Sequence, residues 1–577
     1  MSAAETFSAV LWLLPWVVPL LLSLLLVPRS LRPFAEYLAP VAALPALLLA
    51  VFGHPGAVVE VPLLFGTRFG LTETTQLFLL FGAGLWLLGG LYAGAYLRED
   101  PASGRFFGFF LATMSGNLGL IVARDVVGFY LFFILMSFAA YGMIVHDDTP
   151  RAFRAGRVYL VFVVIGEAFL LPAMILISAT AGTYRLEESP AAIAGSPLGG
   201  LIFFLVLAGF GTKVGVLLLH FSLPLAYQAS PPPAAAALGG PMIKAGLLGW
   251  LLLLPVGEAE APLWGAVILA FGVAAAFYGV IVGLAQRDAG AILAYSSISQ
   301  MGWISAILGI GVLAPALWPV ALTAILVYAA HHALAKSSLF LGLGLARRAA
   351  TTGARRLALA GLLVGALALA GAPLTSGALA KYLLKEVVEA APGSWPLALE
   401  TLAQLGSIGT TLLMIHFLFA LRPGSEPGRL SAGLWLPWAT HLILMTAGIL
   451  ALPGGALATL GLTLSISSLW PLVAGVLLAW GALRLWKRRG LGSGARIPAG
   501  DPLVFLGRLW GLSHGLRGAG SAAWNRALNG SLPRGARADT GMSAGLIRLE
   551  DSLRYWPLAG TLFMVLAVLL VVLASRP

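Results

Sequence analysis

Apolar stretches of about 20 residues, separated by short polar loops, run through almost the whole 577-residue chain. A helix that crosses the hydrocarbon core of a bilayer needs a stretch of this length. Hydrophobic residues make up 59% of the sequence and charged residues 10%, whereas soluble domains carry about 25% charged residues. Soluble cores stop growing at about 250–300 residues. The apolar excess therefore excludes a soluble enzyme, a disordered scaffold and a coiled coil, and indicates a polytopic membrane protein.

We predict an all-α fold with about sixteen transmembrane helices. The first span lacks a basic start and a small-residue cleavage site, so it is predicted to be a retained helix and not a cleaved signal. The predicted spans are 8–27, 35–53, 74–97, 106–123, 126–145, 158–180, 199–221, 235–254, 262–284, 290–311, 317–345, 357–388, 401–421, 432–453, 463–486 and 556–574.

Basic residues alternate between successive loops. The loops after the odd-numbered spans hold most of them, whereas the other loops hold little beyond Arg68, Arg124 and Arg185. Because basic loops stay in the cytoplasm, we predict a multi-pass protein of the cell (inner or plasma) membrane with both termini outside. The net charge of +12 then reflects topology and not a nucleic-acid partner.

One loop, residues 487–555, is long, basic and rich in glycine. Phe505, Leu509, Leu512 and Leu516 have the spacing of one helix face. Two interpretations stay open for this loop: an amphipathic helix on the cytoplasmic surface, or an irregular basic segment.

Ionisable residues inside the spans are the strongest functional signal, because each costs roughly 2.5–3.5 kcal/mol at the bilayer centre. Lysines dominate the set, and few acids are present to pair with them. The set is Glu167, Lys213, His220, Lys244, His331, His332, Lys336, Lys381, Lys385 and Glu386.

A buried amine or imidazole can be switched between its charged and neutral forms by a neighbouring charge. A row of such groups at similar depth, linked by water, can therefore pass protons along. Lys213 and His220 share a helix face, as do His332 and Lys336. Other interpretations are a lysine that reaches the surface, above all Lys385, packing histidines, and a helix–helix hydrogen bond at Glu167.

Helix breakers occur at two places. Residues 229–233, just before the predicted span 235–254, contain three prolines, and residues 371–377, inside the predicted span 357–388, contain Gly371 and Pro373. Broken helices at membrane depth are typical of transport sites when they occupy corresponding positions of two halves. The spacing suits two five-helix repeats, spans four to eight and nine to thirteen. The predicted divisions are 1–105, 106–254, 262–421, 432–486, 487–555 and 556–577.

Five stretches together resemble a known family. Residues 213–224, 240–246, 293–302, 332–342 and 371–381 are similar, in order and spacing, to strings of the antiporter-like membrane subunits shared by respiratory complex I, Mrp-type sodium/proton antiporters and membrane-bound hydrogenases. The resemblance covers residues 105–440 well and the ends poorly.

This resemblance implies two inverted five-helix repeats, each with one broken helix, and a polar axis at mid-membrane. It implies a proton relay through Lys213, Lys244, Lys336 and Lys381, with His332 supporting Lys336. Glu167, His220, His331 and Lys385 are further candidates. No metal site and no cofactor is predicted, since the chain has no cysteine for an iron–sulfur cluster and no nucleotide motif.

The sequence departs from the family at one decisive position. In residues 131–141, Ile134 stands where the family has the glutamate that pairs with the lysine matching Lys213. Glu167, one helix further along, is our candidate replacement.

Two functions are therefore open. In the first, the chain is an ion-translocating subunit that moves protons, or protons against sodium, inside a complex of other membrane subunits. Any enzyme activity would then belong to that complex, of NADH:quinone oxidoreductase-like or hydrogenase-like type, with energy from a redox arm, an ion gradient or a soluble uptake partner. In the second, the chain is a structural subunit that kept the fold and lost transport, as Ile134 suggests.

Overall fold

The computed structural model describes residues 3–61, 66–258, 260–393, 395–426, 428–447 and 466–489. These residues are mainly helical. The α-helices are α1 (Ala3–Leu25), α2 (Arg32–Leu38), α3 (Leu44–Phe52), α4 (Glu73–Tyr96), α5 (Ser103–Val122), α6 (Val126–Ile144), α7 (Pro150–Ala181), α8 (Ser189–Ala194), α9 (Gly199–Val214), α10 (Ser222–Ala229), α11 (Pro232–Ala237), α12 (Ile243–Leu253), α13 (Pro262–Leu284), α14 (Ala289–Leu313), α15 (Trp318–Arg348), α16 (Thr352–Ala370), α17 (Ser376–Glu389), α18 (Trp395–Ala420), α19 (Ala432–Ala447) and α20 (Ile466–Arg489).

Eleven helical segments of the described chain are long and apolar enough to cross a membrane. They support the predicted class, a multi-pass helical membrane protein. Shorter apolar helices at Val10–Leu25, Gly199–Val214 and Leu469–Ala482 account for three further predicted spans. The loop from residue 490 onward and the span 556–574 lie outside the described residues, so the count of sixteen stays a prediction.

A small antiparallel hairpin departs from the all-α prediction. Strands β1 (Val58–Glu60) and β2 (Arg68–Gly70) pair with Val59 opposite Phe69. The hairpin lies in a loop between predicted spans, where the backbone is free to leave the helical conformation.

Side-chain caps decide where several long helices begin. Thr149 accepts a hydrogen bond from the main-chain N–H of Ala152 at the start of α7, and Asp125 and Asp288 cap α6 and α14 in the same way. Such caps satisfy N–H groups that have no partner within the helix. Helix α7 consequently starts eight residues before the predicted span 158–180 and runs for 32 residues, about 48 Å.

Helices α13 and α14 pack backbone against backbone. A methyl group at Gly272 would lie 2.7 Å from the carbonyl oxygen of Gly302, and one at Gly309 would lie 2.9 Å from that of Gly265. Glycines at such contacts allow close helix packing in membranes. As a result α14 is buried over almost its whole length, so its polar residues lie inside the protein.

Both predicted helix breaks are present. Helix α10 ends at Ala229, Ser230 and Pro231 are extended, and α11 begins at Pro232. A π-helix, Leu238–Met242, then joins α11 to α12. In the second break, α16 ends at Ala370 and α17 begins at Ser376, with Gly371 at a φ of +84°.

A third break was not predicted. The expected continuous span 199–221 is wrong beyond Val214, because α9 ends there with Gly215 in the left-handed conformation at a φ of +83°. Leu218, within the same break, has a φ of +78°. The segment that follows Lys213 is therefore irregular, although its composition is apolar.

The loops separate into the two sets that their charges predicted. One cavity of about 870 Å³ is lined by Arg98, Asp147, Pro231, Arg347 and Glu426, which follow the third, fifth, seventh, eleventh and thirteenth predicted spans. In the other set, Arg68 and Arg124 both lie near Glu187, at 2.8 and 3.6 Å. The assignment of the first set to the cytoplasm stays a prediction.

Candidate functional site

Lys244 and His332 form the centre of the site. Nζ of Lys244 on α12 lies 2.6 Å from Nδ1 of His332 on α15, a hydrogen-bond distance, and the two residues are 1% and 0% exposed. The close approach depends on Gly240 in the π-helix, where a methyl group would lie only 2.2 Å from Oγ of Ser337. The break before α12 thus brings the amine against α15.

Lys336 lies one helical turn after His332 and is also fully buried. Its Nζ donates a 2.7 Å hydrogen bond to the carbonyl oxygen of Leu293 on α14. In the described part of the chain, no carboxylate pairs with Lys244 or Lys336. This cluster therefore holds two amines and an imidazole in the interior without a compensating acid.

The second break brings His331 and Lys381 to one place. His331 on α15 shares a 2.8 Å hydrogen bond between its Nδ1 and Oγ of Ser376, the first residue of α17. Nζ of Lys381 donates to the carbonyl oxygen of Ala370 at 2.5 Å. A carbonyl is free there because α16 ends at the break.

Lys213 lies at the end of α9, just before the unpredicted break. Its Nζ donates a 2.9 Å hydrogen bond to the hydroxyl of Tyr159 on α7 and lies 4.9 Å from the centre of the same ring. Tyr159 in turn donates to the carbonyl oxygen of Ser137 on α6, at 2.9 Å. Lys213 therefore bonds to a neutral partner.

Glu167 lies on α7, which packs closely against α9. A methyl group at Gly166 would lie 2.6 Å from Oγ1 of Thr212, the residue before Lys213. The Glu167 carboxyl group shares a hydrogen bond with the Tyr130 side chain on α6 and lies within electrostatic range of Lys213. Its Oε2 is buried and has no hydrogen-bond partner. The candidate replacement acid thus lies on the helix that packs against α9, without an ion pair to Lys213 in the described residues.

Two other predicted residues lie apart from the central cluster. His220, within the break after α9, shares a hydrogen bond of 3.2 Å between its Nε2 and the hydroxyl of Tyr278 on α13. Lys385 is 39% exposed and lies 3.3 and 3.9 Å from Glu389 and Glu400. The Lys385 side chain is therefore partly exposed and lies close to two acids.

Sequence reasoning missed several polar residues near the site. Tyr130 and Tyr159 carried no signal, since tyrosine is common in apolar spans. Gln300 accepts a 2.9 Å hydrogen bond from Tyr328 and stands within the family-like string 293–302, which was the available signal. His441, fully buried on α19, lies in a predicted span and was overlooked.

Four buried polar atoms on these helices have no protein partner: Oγ of Ser296 and Ser299, Nε2 of His332 and Oε2 of Glu167. Such atoms in the interior are ordinarily satisfied by water. The described residues contain no group of three or more histidines and acids that could hold a metal ion.

Comparison with known proteins identifies this architecture. Residues 123–405, which contain Lys213, Lys244, Lys336 and Lys381, match the family described as NADH:quinone oxidoreductase/Mrp antiporter, transmembrane. This region of the chain belongs to that family. The resemblance found in the sequence strings is confirmed, and this region is antiporter-like.

Two relatives are similar to part of this chain and are themselves longer than the matched region. Hydrogenase-4 component B of Escherichia coli is 30% identical over 267 residues, which are 44% of this chain and 39% of that protein. A probable K(+)/H(+) antiporter protein of Rhizobium meliloti is 28% identical over 455 residues, which are 73% of this chain and 44% of that protein. The antiporter-like chain thus spans less than half the length of these two relatives.

The fold has a solved counterpart. A chain of the Mrp complex from Dietzia sp. superposes with a TM-score of 0.71 at 23% identity, over 95% of this chain and 62% of that one. At this identity the likeness supports the fold, and the chemistry of the antiporter-like chain must be argued from its own residues.

Proposed function

We propose that this chain is the proton-translocating subunit of a multi-subunit membrane complex. The observation that carries the proposal is the cluster of Lys244, His332 and Lys336, which is buried, hydrogen-bonded and unpaired with any acid in the described structure. Buried charge is costly, and a subunit with only a structural role would be stabilised by replacing each of these residues with an apolar one. Retention of all three supports a transport role.

The proposed route runs from Lys213 through Lys244, His332 and Lys336 to Lys381, with His331 beside the last step. Lys244 and His332 already share a hydrogen bond, so one proton can pass between them. His331 lies within electrostatic range of Lys244, Lys336 and Lys381. The steps from Lys213 to Lys244, from His332 to Lys336 and from Lys336 to Lys381 have no direct hydrogen bond among the described side chains, and we assign them to water.

Glu167 is proposed to take the role of the glutamate that the family has at the position of Ile134. The support is its position, on the helix that packs against α9 and within electrostatic range of Lys213. A carboxylate close to the lysine favours the charged form of the amine. When the two groups separate, this stabilisation is lost and the amine can give up its proton. His220 and Lys385 have no assigned step in this route.

Partners and energy source follow from what the sequence does not contain. The chain has no cysteine and no nucleotide-binding motif, so the coupling reaction is assigned to other membrane subunits or to a soluble redox or uptake protein. The division into two inverted five-helix repeats, 106–254 and 262–421, belongs to the same proposal. It is supported by a broken helix in each half.

The alternative, a structural subunit without transport, is favoured by one observation, the apolar Ile134 on α6. A single substitution separates the two functions. Lys244→Met removes the amine but keeps the approximate volume of the side chain. The complex containing this variant is reconstituted in liposomes and proton uptake is followed with a pH-sensitive dye.

We expect Lys244→Met to abolish proton uptake while the complex still assembles, and Lys385→Met, at a partly exposed lysine, to leave uptake near the wild-type rate. Unchanged uptake with Lys244→Met would contradict the transport proposal and favour the structural alternative. Assembly is monitored by size-exclusion chromatography, so that a folding defect is not read as lost transport.

A further inference from the structure

A narrow apolar groove lies beside the break that follows α9. Its volume is about 330 Å³, and it is bounded by α7, α9, α12, α13, α14 and the irregular segment 215–219. None of the residues that line it carries a charge. The Ser305 hydroxyl donates to the carbonyl oxygen of Met301, and the Trp250 indole N–H donates to that of Leu207. These polar groups are therefore satisfied without a ligand.

The groove opens at membrane depth. Helices α7 and α13, which form two of its walls, are long and apolar enough to cross a bilayer. Phe204, Leu218 and Phe271 line the groove and also reach the protein surface, with exposed fractions of 44%, 63% and 41%. A water molecule held inside a protein needs about two to four polar partners, and these side chains offer none. The groove therefore suits hydrocarbon and not water.

The shape of the groove limits what can enter it. On α13 it is lined by Trp264, Ile268, Phe271 and Ala275, which share one helix face. Trp264 and Ala275 are about 16 Å apart along the helix axis. A volume of about 330 Å³ over that length gives a mean cross-section of about 20 Å². A helix with its side chains is about 10–12 Å wide. The groove is therefore too narrow for a helix of another subunit and takes a single extended chain.

The two ends of the groove differ in character. Trp264 lies in the first turn of α13, and its ring stacks on that of Phe203 with 5.0 Å between the ring centres. Tryptophan is typical of the interface between membrane and water. The other end reaches Met301, which lies near the middle of α14 and is 1% exposed. A chain that enters beside Trp264 thus runs from the interface to the interior of the protein.

We propose that this groove binds one fatty acyl chain of a membrane phospholipid, from the leaflet that borders the loop 254–261. The headgroup stays at the interface near Trp264, and the end of the tail contacts segment 215–219 and Met301. The tail then covers the outer side of the break, where Gly215 and Leu218 have left-handed backbone conformations. The site uses none of the residues assigned to the proton route, so it does not depend on proton transport.

The test is photo-labelling of the purified complex in liposomes. The lipid is a phosphatidylcholine with a diazirine near the methyl end of one acyl chain, and labelled residues are identified by mass spectrometry. Met301 is the diagnostic residue because it is buried and faces the groove. Ile281, 66% exposed on α13, reports ordinary contact with the surrounding lipid.

Ala208→Phe places a ring in the groove, which Ala208 lines from α9 in a half-buried position. Ala274→Phe is the matched control, since Ala274 is exposed on α13 and the added ring lies outside the groove. Ala208→Leu is a smaller filling variant for the case that the phenylalanine variant does not assemble.

We expect Met301 to be labelled in the wild type and in Ala274→Phe. Labelling of Met301 relative to Ile281 should fall at least about fivefold in Ala208→Phe, and in the same direction in Ala208→Leu, because the side chain and the tail compete for one space.

Three results would overturn the proposal. Met301 could remain unlabelled in the wild type, as it would if a side chain of another subunit filled the groove. Labelling of Met301 could be equal in both filling variants and the wild type. A long-chain quinone added to the liposomes could abolish the labelling of Met301, which would assign the groove to the quinone tail instead of a phospholipid.

Discussion

Nζ of Lys336 donates a 2.7 Å hydrogen bond to the carbonyl oxygen of Leu293, so a fully buried amine on α15 is held by the backbone of α14. That carbonyl accepts in place of an acid and imposes no charge on the lysine. The amine can therefore lose and regain its proton without leaving a buried carboxylate unpaired.

Lys336→Met should abolish proton uptake in liposomes and leave the complex assembled, because the amine is replaced by an apolar group of similar length. The measurement is dye-monitored uptake beside size-exclusion chromatography. Lys336→Arg is the informative companion: a guanidinium group stays charged, so it too should block uptake. Normal uptake in the arginine variant would mean that Lys336 acts only as a fixed charge.

A glutamate at position 134 on α6 should partly restore proton uptake when Glu167 is removed. Glu167→Gln is expected to reduce proton uptake at least tenfold, and Ile134→Glu in that background should recover part of it, since residue 134 lies one turn from Tyr130, which binds the acid. Ile134→Gln in the same background has a similar size but no charge and should not rescue. Wild-type uptake in Glu167→Gln alone would contradict the role of this residue.

Gly371 and Gly182 allow a matched test of the second break. Both have a positive φ, of +84° and +65°, so alanine strains the backbone at either position by about 1–2 kcal/mol. A methyl group at Gly371 would also lie 2.5 Å from Cδ of Lys381, whereas one at Gly182 meets nothing within 4 Å. Gly371→Ala should therefore slow proton uptake, and Gly182→Ala should lower only thermal stability. Equal uptake rates in the two variants would show that the position of Lys381 does not matter.

Asp100, in the loop after α4, lies 3.0 Å from His146 in the turn that follows α6. Burial alone would raise its pKa, but the hydrogen bonds from His146 and from the N–H of Ala102 outweigh burial and lower the pKa of Asp100. A lowered pKa in the folded state means that the contact stabilises at neutral pH and that this contribution is lost as the pH falls below about 4.

Asp100→Asn should therefore reduce the thermal stability of the solubilised complex at pH 7 by less than about 1 kcal/mol, since the pair is partly exposed. The difference from wild type should shrink in acid. Glu99→Gln, at the exposed neighbouring residue, is the control and should change little at either pH. A deficit in Asp100→Asn that grows as the pH falls would reverse the assigned sign.

The amino-acid sequence by itself determined the class of the protein, its family and the buried amines. Long apolar stretches predict membrane crossing. They must be helical there because the bilayer core contains no water to hydrogen-bond the backbone. Spacing along one helix placed His332 and Lys336 on one face. Proline-rich residues 229–233 and the Gly371–Pro373 segment predicted their breaks for the same local reason: they remove donors or need special backbone angles.

Only the tertiary structure decided which groups meet. The break after Lys213 depends on Gly215 adopting a left-handed conformation, which an apolar sequence does not reveal. The contacts of Lys244 with His332, of Lys336 with Leu293 and of Glu167 with Tyr130 each join two different helices. They form because glycines such as Gly166 and Gly240 let the helices approach closely, and such approach depends on both partners at once.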